Sequence, residues 1–138
     1  MEERRINPLD FEKDTAIGFA LPLSSKTGGG FALNYETLAQ AKDNLRNLLF
    51  TEKGERYMQP DFGTGLKKYI FQFNNREIED EIDTEIKTAV KYWLPYINVD
   101  ETKFERYEHT VKIYVGFSLK GDEFSKESIT LTINAPEI

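Results

Sequence analysis

Apolar residues recur at Leu38, Ala41, Leu45, Leu48 and Leu49, three or four positions apart, while Gln40, Lys42, Asp43 and Asn47 fall between them. This spacing predicts an amphipathic helix that starts after Asn34, a good N-cap, and ends by Phe50 or Thr51. A second stripe, Ile78, Ile82, Ile86, Ala89, Val90 and Trp93, predicts a longer helix. Asn74 with Glu77 has the pattern of a capping box at its start, and Pro95 stops it. Acids (Glu77, Glu79, Asp80, Glu81, Asp83, Glu85) crowd its first half and Lys87 and Lys91 its second, which suits the helix dipole at each end. Beyond Pro95 the period changes to two. Val111, Ile113, Val115, Phe117 and Leu119 alternate with Thr110, Lys112, Tyr114, Gly116 and Ser118, the pattern of a strand with one buried and one wetter face. Ile129, Leu131 and Ile133 repeat it, and a less regular strand is expected from Ile97 to about Tyr107, joined to the next by a tight turn at Glu108-His109.

Residues 1–33 lack helical periodicity and carry Pro8, Gly18, Pro22 and the run Gly28-Gly29-Gly30, which predicts an extended N-terminal arm with a short strand near Ile17–Leu21. Residues 51–65 read as a structured loop around Pro60, followed by a short helical segment from Leu66 to Phe71. The expected architecture is α+β: two main helices packed on one face of a small antiparallel three-stranded sheet, residues 34–138 forming one domain behind the arm. The strand Val111–Leu119 is central in that meander, which leaves Ile97–Tyr107 and Ser128–Asn134 as edges, one of which the arm is free to occupy.

Composition narrows the function. The 138 residues fit one domain, and 39% hydrophobic with 13% aromatic residues supply a core. A net charge of −6 opposes the attraction to phosphates that drives non-specific nucleic-acid binding. With no cysteine there are no disulfides, thiolate nucleophiles or thiolate metal sites. The longest uncharged apolar stretch, Ala16 to Leu23, is interrupted by Pro22 and falls far short of a bilayer span. No apolar segment follows Met1-Glu2-Glu3-Arg4-Arg5, so a soluble protein made in the cytosol is expected, without nucleic acid or membrane as partner.

Candidate chemistry is sparse. The single histidine, His109, sits in the expected turn outside any ligand spacing, and the acids between Glu77 and Glu85 lack a calcium-loop pattern, so no metal site is read and those acids are taken as a solvated helix face. In Lys26-Thr27-Gly28-Gly29-Gly30 the Lys-Thr precedes the glycines, the reverse of a phosphate-binding loop, and no cofactor is implied. A nucleophilic triad has no partners to build on. Glu55 and Asp61 flank an aromatic-rich loop and are the one carboxylate pair to weigh for glycoside hydrolysis, but the neighbouring Arg56 would lower a carboxyl pKa where a general acid needs it raised. The densest run of unusual residues is Gly54-Glu55-Arg56-Tyr57-Met58-Gln59-Pro60-Asp61-Phe62-Gly63-Thr64-Gly65-Leu66. It reads as a fixed loop with one docking edge, with Glu55 and Arg56 as its central ion pair.

Leu48-Leu49-Phe50-Thr51-Glu52-Lys53-Gly54-Glu55-Arg56, followed by Pro60-Asp61-Phe62-Gly63-Thr64-Gly65-Leu66, resembles the gene 25-like family of contractile-tail baseplate wedge proteins, whose hallmark is Leu-Leu-x-Thr, a Gly-Glu-Arg turn and Pro-x-Phe-Gly-x-x-Leu. The resemblance covers roughly residues 17–134. It implies a structural protein of the virion tail baseplate, assembled in the host cytoplasm, that initiates sheath polymerisation through its sheet. Its implied partners are tail sheath subunits, other wedge proteins and the tail tube, in multiple copies of a symmetric assembly. Strand addition of that kind needs exposed backbone groups and no side-chain chemistry, so Ile129, Leu131 and Ile133 mark the edge strand expected to pair. Where the family commonly carries Glu-Pro-Arg this chain has Leu94-Pro95-Tyr96, so a partner contact at that corner is apolar or aromatic. The family has also been labelled lysozyme-like, which makes a peptidoglycan hydrolase the alternative from another class.

Overall fold

The computed structural model describes residues 14–21, 23–25, 30–72 and 76–134. In chain order the elements are β1 (Gly18–Phe19), β2 (Leu33–Asn34), α1 (Thr37–Phe50), a 3₁₀ helix (Leu66–Gln72), α2 (Arg76–Trp93), β3 (Ile97–Tyr107), β4 (Thr110–Leu119) and β5 (Asp122–Asn134). The last three form an antiparallel sheet in the order β3-β4-β5, with β4 central as the expected meander places it. Both helices lie on one face, α1 against β5 and α2 against β3.

The core fills the space between the layers. Leu45 and Leu48 from α1, Ile82 and Ile86 from α2, and Ile113, Val115, Phe117 and Leu131 from the sheet are all buried. Leu38, Ile78 and Trp93 border them at the ends of the two helical stripes. β3 looked irregular because its register shifts between Val99 and Glu101. Ile97 and Val99 face the helices before this bulge, and Thr102 and Phe104 face them after it, since one extra residue reverses the alternation. The Ser118 hydroxyl donates to Asp100 at the bulge (3.2 Å), and Arg106 reaches Glu79 on α2 (2.8 Å).

Three expectations change. Helix α1 starts two residues later than an Asn34 cap would place it: Glu36 is the extended flanking residue and makes no side-chain cap. Asn34 belongs to β2, and its amide donates instead to Asp43 (2.6 Å) and Gln40 (3.1 Å). Asp43 also accepts from the Leu21 amide (3.0 Å), so two residues read as the solvent face of α1 hold the arm. Second, among the described residues the arm occupies neither edge of the three-stranded sheet. It pairs with itself, Gly18 opposite Asn34 and Phe19 opposite Leu33, and Phe19 packs edge-on against Phe31 at 5.8 Å. Third, β5 begins at Asp122, well before Ser128. The capping box at Asn74 and the residues Lys26 to Gly29 lie outside the described residues.

Candidate docking surfaces: the sheet edge and the 51–65 loop

Backbone orientation decides what each edge of the sheet offers. Tyr107 and Thr110 close the two-residue turn Glu108–His109, which makes them a hydrogen-bonded pair. Along β4, therefore, even-numbered residues bond to β3 and odd-numbered ones to β5. Their partners on β5 are Glu127, Ile129, Leu131 and Ile133, so the backbone groups of Ser128, Thr130 and Thr132 point away from the sheet. The Ser128 amide agrees, since it turns back to the Glu127 carboxylate at 3.2 Å. From Ser128 to Asn134 this edge carries no charge and no bulge. The β3 edge has both, with its register shift and Glu101, Lys103, Glu105 and Arg106, the devices that discourage strand pairing. Ile129 and Leu131 themselves are buried with their side chains toward the helices, and Ile133 is half-buried.

The loop after α1 is tied at both ends. The Thr51 amide (3.1 Å) and hydroxyl (2.6 Å) both donate to the Asn47 carbonyl, and the buried Thr64 hydroxyl donates to the Leu49 carbonyl (3.0 Å), which the helix end leaves open. The Thr64 amide donates to the Thr51 carbonyl (2.8 Å), and the Gly54 amide to the Pro60 carbonyl (2.6 Å). The expected Glu55–Arg56 ion pair is not made. Glu55 accepts from the Glu52 amide (2.9 Å), whereas the Arg56 guanidinium lies 3.9 Å above the Phe62 ring. Phe62 in turn packs edge-on against Trp93 at 5.1 Å, so Arg56 braces the loop through a cation–π stack rather than a carboxylate. Tyr57 and Met58 project fully into solvent at the loop's tip, and Leu66 is buried at its end.

A residue that the sequence reading passed over holds the loop to α2. The Glu85 side chain is only 12% exposed, and its Oε1 accepts from the Gly65 amide at 2.7 Å. Lys68 and Lys53 approach it at 3.5 Å and 3.7 Å. Burial on its own would push the Glu85 carboxyl up; the Gly65 amide, the Tyr69 hydroxyl and the two ammonium groups outweigh it and hold it below the usual glutamate value. Burial and the bond to this carboxylate push the Tyr69 phenol up. The acids of α2 are thus a solvated face only in part.

Between α2 and this loop runs an open groove of about 790 Å³, walled by Lys53, Asp61, Glu85, Tyr92 and Trp93. Asp61 lines it and Glu55 does not, so the carboxylate pair considered for hydrolysis is not gathered into the groove. At the end of α2, Leu94 turns into the core while Pro95 and Tyr96 stay at the surface. Tyr96 is 39% exposed, and its hydroxyl accepts from the Asn44 side chain on α1 (2.8 Å). His109 is exposed in its turn. Among the described residues, no group of three or more metal-ligating side chains converges, and no helix is long and apolar enough to cross a membrane.

This layer of two helices on a three-stranded sheet recurs in contractile-machine baseplates. A chain of the anti-feeding prophage baseplate superposes with a TM-score of 0.59 at 18% identity, covering 86% of this chain and 85% of its own. A chain of the pyocin R2 postcontracted baseplate gives 0.50 at 14% identity, covering 83% and 99%. A protein of Geobacter sulfurreducens described as a tail lysozyme gives 0.60 at 24% identity, covering 71% and 90%. No curated protein sequence matches the chain. The family profile of "Baseplate wedge protein gp25" matches residues 36–123, and the chain belongs to that family.

Proposed function

We propose that this protein is a structural, non-catalytic part of a contractile-tail baseplate wedge and that it initiates sheath polymerisation by accepting a strand along β5. The observation that carries this reading is the β5 edge, where Ser128, Thr130 and Thr132 hold backbone donors and acceptors outward with no bulge or charge to block them. Family membership supports a place in a baseplate wedge; in this reading the chain sits in a virion tail, in multiple copies of a symmetric assembly, with sheath subunits, other wedge proteins and the tail tube as neighbours. Pro95, Tyr96 and the tip of the 51–65 loop are the surfaces offered to those other wedge proteins.

Thr130→Pro tests the edge. Its amide faces outward, so the substitution removes a donor for an incoming strand without breaking the pairing with β4. Assembled into its wedge and mixed with sheath subunits, the folded Thr130→Pro protein is expected to nucleate no sheath, as read by electron microscopy. Normal nucleation overturns the reading. Leu131→Pro is unsuitable, because that amide faces Ile113 and its loss breaks the native ladder. On the catalytic side, purified protein is expected to leave peptidoglycan intact; turnover that disappears in Glu55→Gln or Asp61→Asn would establish the hydrolase instead.

A further inference from the structure

We infer that the β5 edge selects the strand it accepts by one apolar side chain, which enters a pocket beside the C-terminal half of β5. The inference rests on the sheet-extension reading and adds to it a chemical requirement on the partner. The pocket measures about 200 Å³, and its apolar walls are Leu49 and Phe50 at the end of α1, Leu66 at the start of the 3₁₀ helix, and Leu131 and Ile133 on β5. No residue of β4 lines it, so it lies outboard of the sheet, along the side where the amides of Thr130 and Thr132 point. Glu52 and Lys67 stand at its margin, joined to each other at 3.8 Å.

The occupant follows from the geometry. A strand paired to β5 lies about 4.8 Å farther out and continues the pleat, so its side chains opposite Leu131 and Ile133 point to the helix side. There they meet Phe50, a residue 45% exposed although it closes a helix otherwise packed against the sheet. A small apolar molecule would leave the outward amides unpaired, and a helix would present no free backbone to them. An extended segment satisfies both features at once. The volume suits a single Leu, Ile, Met or Phe side chain. A charged side chain there would lose its water among apolar walls, because Glu52 and Lys67 already neutralise each other. The partner is therefore an extended segment with one large apolar residue at that register and small or polar residues on its other face.

Two substitutions in the full-length protein, in its wedge, test this with sheath subunits as the probe. Phe50→Lys puts a charge at the pocket mouth on a position already half in water, and Ile133→Trp fills the pocket from within. Both are expected to lower sheath nucleation about tenfold or more while circular dichroism shows the native fold. Phe124→Lys adds the same charge to an 84% exposed position elsewhere on β5 and is expected to nucleate normally. If Ile133→Trp does not fold, Phe50→Lys decides alone. Wild-type nucleation by Phe50→Lys, with Thr130→Pro blocked, overturns the pocket and leaves sheet extension standing. Loss in Phe50→Lys with Thr130→Pro unaffected overturns both, because the occupant is then not a paired strand.

Discussion

Gly63→Ala is expected to destabilise the protein by about 3 kcal/mol or more, the largest effect of any single-methyl addition in the 51–65 loop. Two costs add at this position. Its φ is +120°, a conformation that an L side chain adopts only with strain of about 1–3 kcal/mol. A Cβ built there would also collide with the Thr51 carbonyl oxygen, which is the acceptor for the Thr64 amide. Relief requires the two ends of the loop to separate, which opens the bonds that cap α1. Gly54 provides the control. Its φ is +89°, yet nothing lies near its missing side chain, so Gly54→Ala carries the strain alone, about 1 kcal/mol. In a domain of this size a loss of 3 kcal/mol lowers Tm by roughly 10 °C. Thermal unfolding of the two variants side by side checks this, and equal Tm values would show that the close approach to Thr51 carries no weight.

The same loop shows what hydrophobic pattern can and cannot convey. Periodicity located both helices and the central strand, because burial of a face is a local property of the chain: Leu45, Leu48, Ile82, Ile113 and Phe117 are buried where their spacing predicts. Three features depended on side-chain partners or register that periodicity does not report. Asn34 has the chemistry of an N-cap, but its side chain is turned to donate to Asp43 and Gln40 while its backbone pairs in β2 opposite Gly18. Arg56 stands next to Glu55 in sequence, yet the Phe62 ring, held edge-on against Trp93, offers it a larger surface. The bulge at Asp100 hid the alternation of β3, which no period-two count survives.

Edge orientation needed the pairing register as well as the expected turn. Alternation identified Ile129, Leu131 and Ile133 as one face, but a face says where side chains point, whereas strand addition depends on where amides point. In a strand the two directions are perpendicular. The closing pair of the Glu108–His109 turn and the pairing register show that Leu131 donates inward and Thr130 outward, and the Ser128 amide agrees. The sequence therefore located the strand but not which of its amides face outward. Glu85 differs, since its signal was present. It lies seven residues after Ile78 and three after Ile82, so a helical projection puts it within about 20° of the apolar stripe. An acid on that stripe is either misread or partnered, and the crowd of neighbouring acids concealed the question.

The partnered carboxylate leads to the second large effect. Glu85→Gln is expected to cost about 1–2 kcal/mol at neutral pH, the worth of a charged hydrogen bond above a neutral one, and to cost progressively less as pH falls. The Gly65 amide is the dominant contact, at 2.7 Å and partly buried, while Lys53 and Lys68 are exposed ammonium groups at 3.5 Å or more and contribute a few tenths each. Because the folded-state pKa of Glu85 is lowered, its contribution is fully present above the ordinary glutamate value near 4.3 and is lost as pH drops from there through the lowered value. Glutamine has no such dependence. Urea unfolding at pH 7 should therefore separate the wild-type and Glu85→Gln proteins, and the gap should narrow as pH falls below the ordinary glutamate value, with the variant showing the flatter acid limb. A gap that stays constant across this range would mean that the site holds the loop by shape, not charge. If the gap closes as expected, the attachment of the 51–65 loop to α2 is electrostatic, and acid releases the loop's Gly65 end from α2.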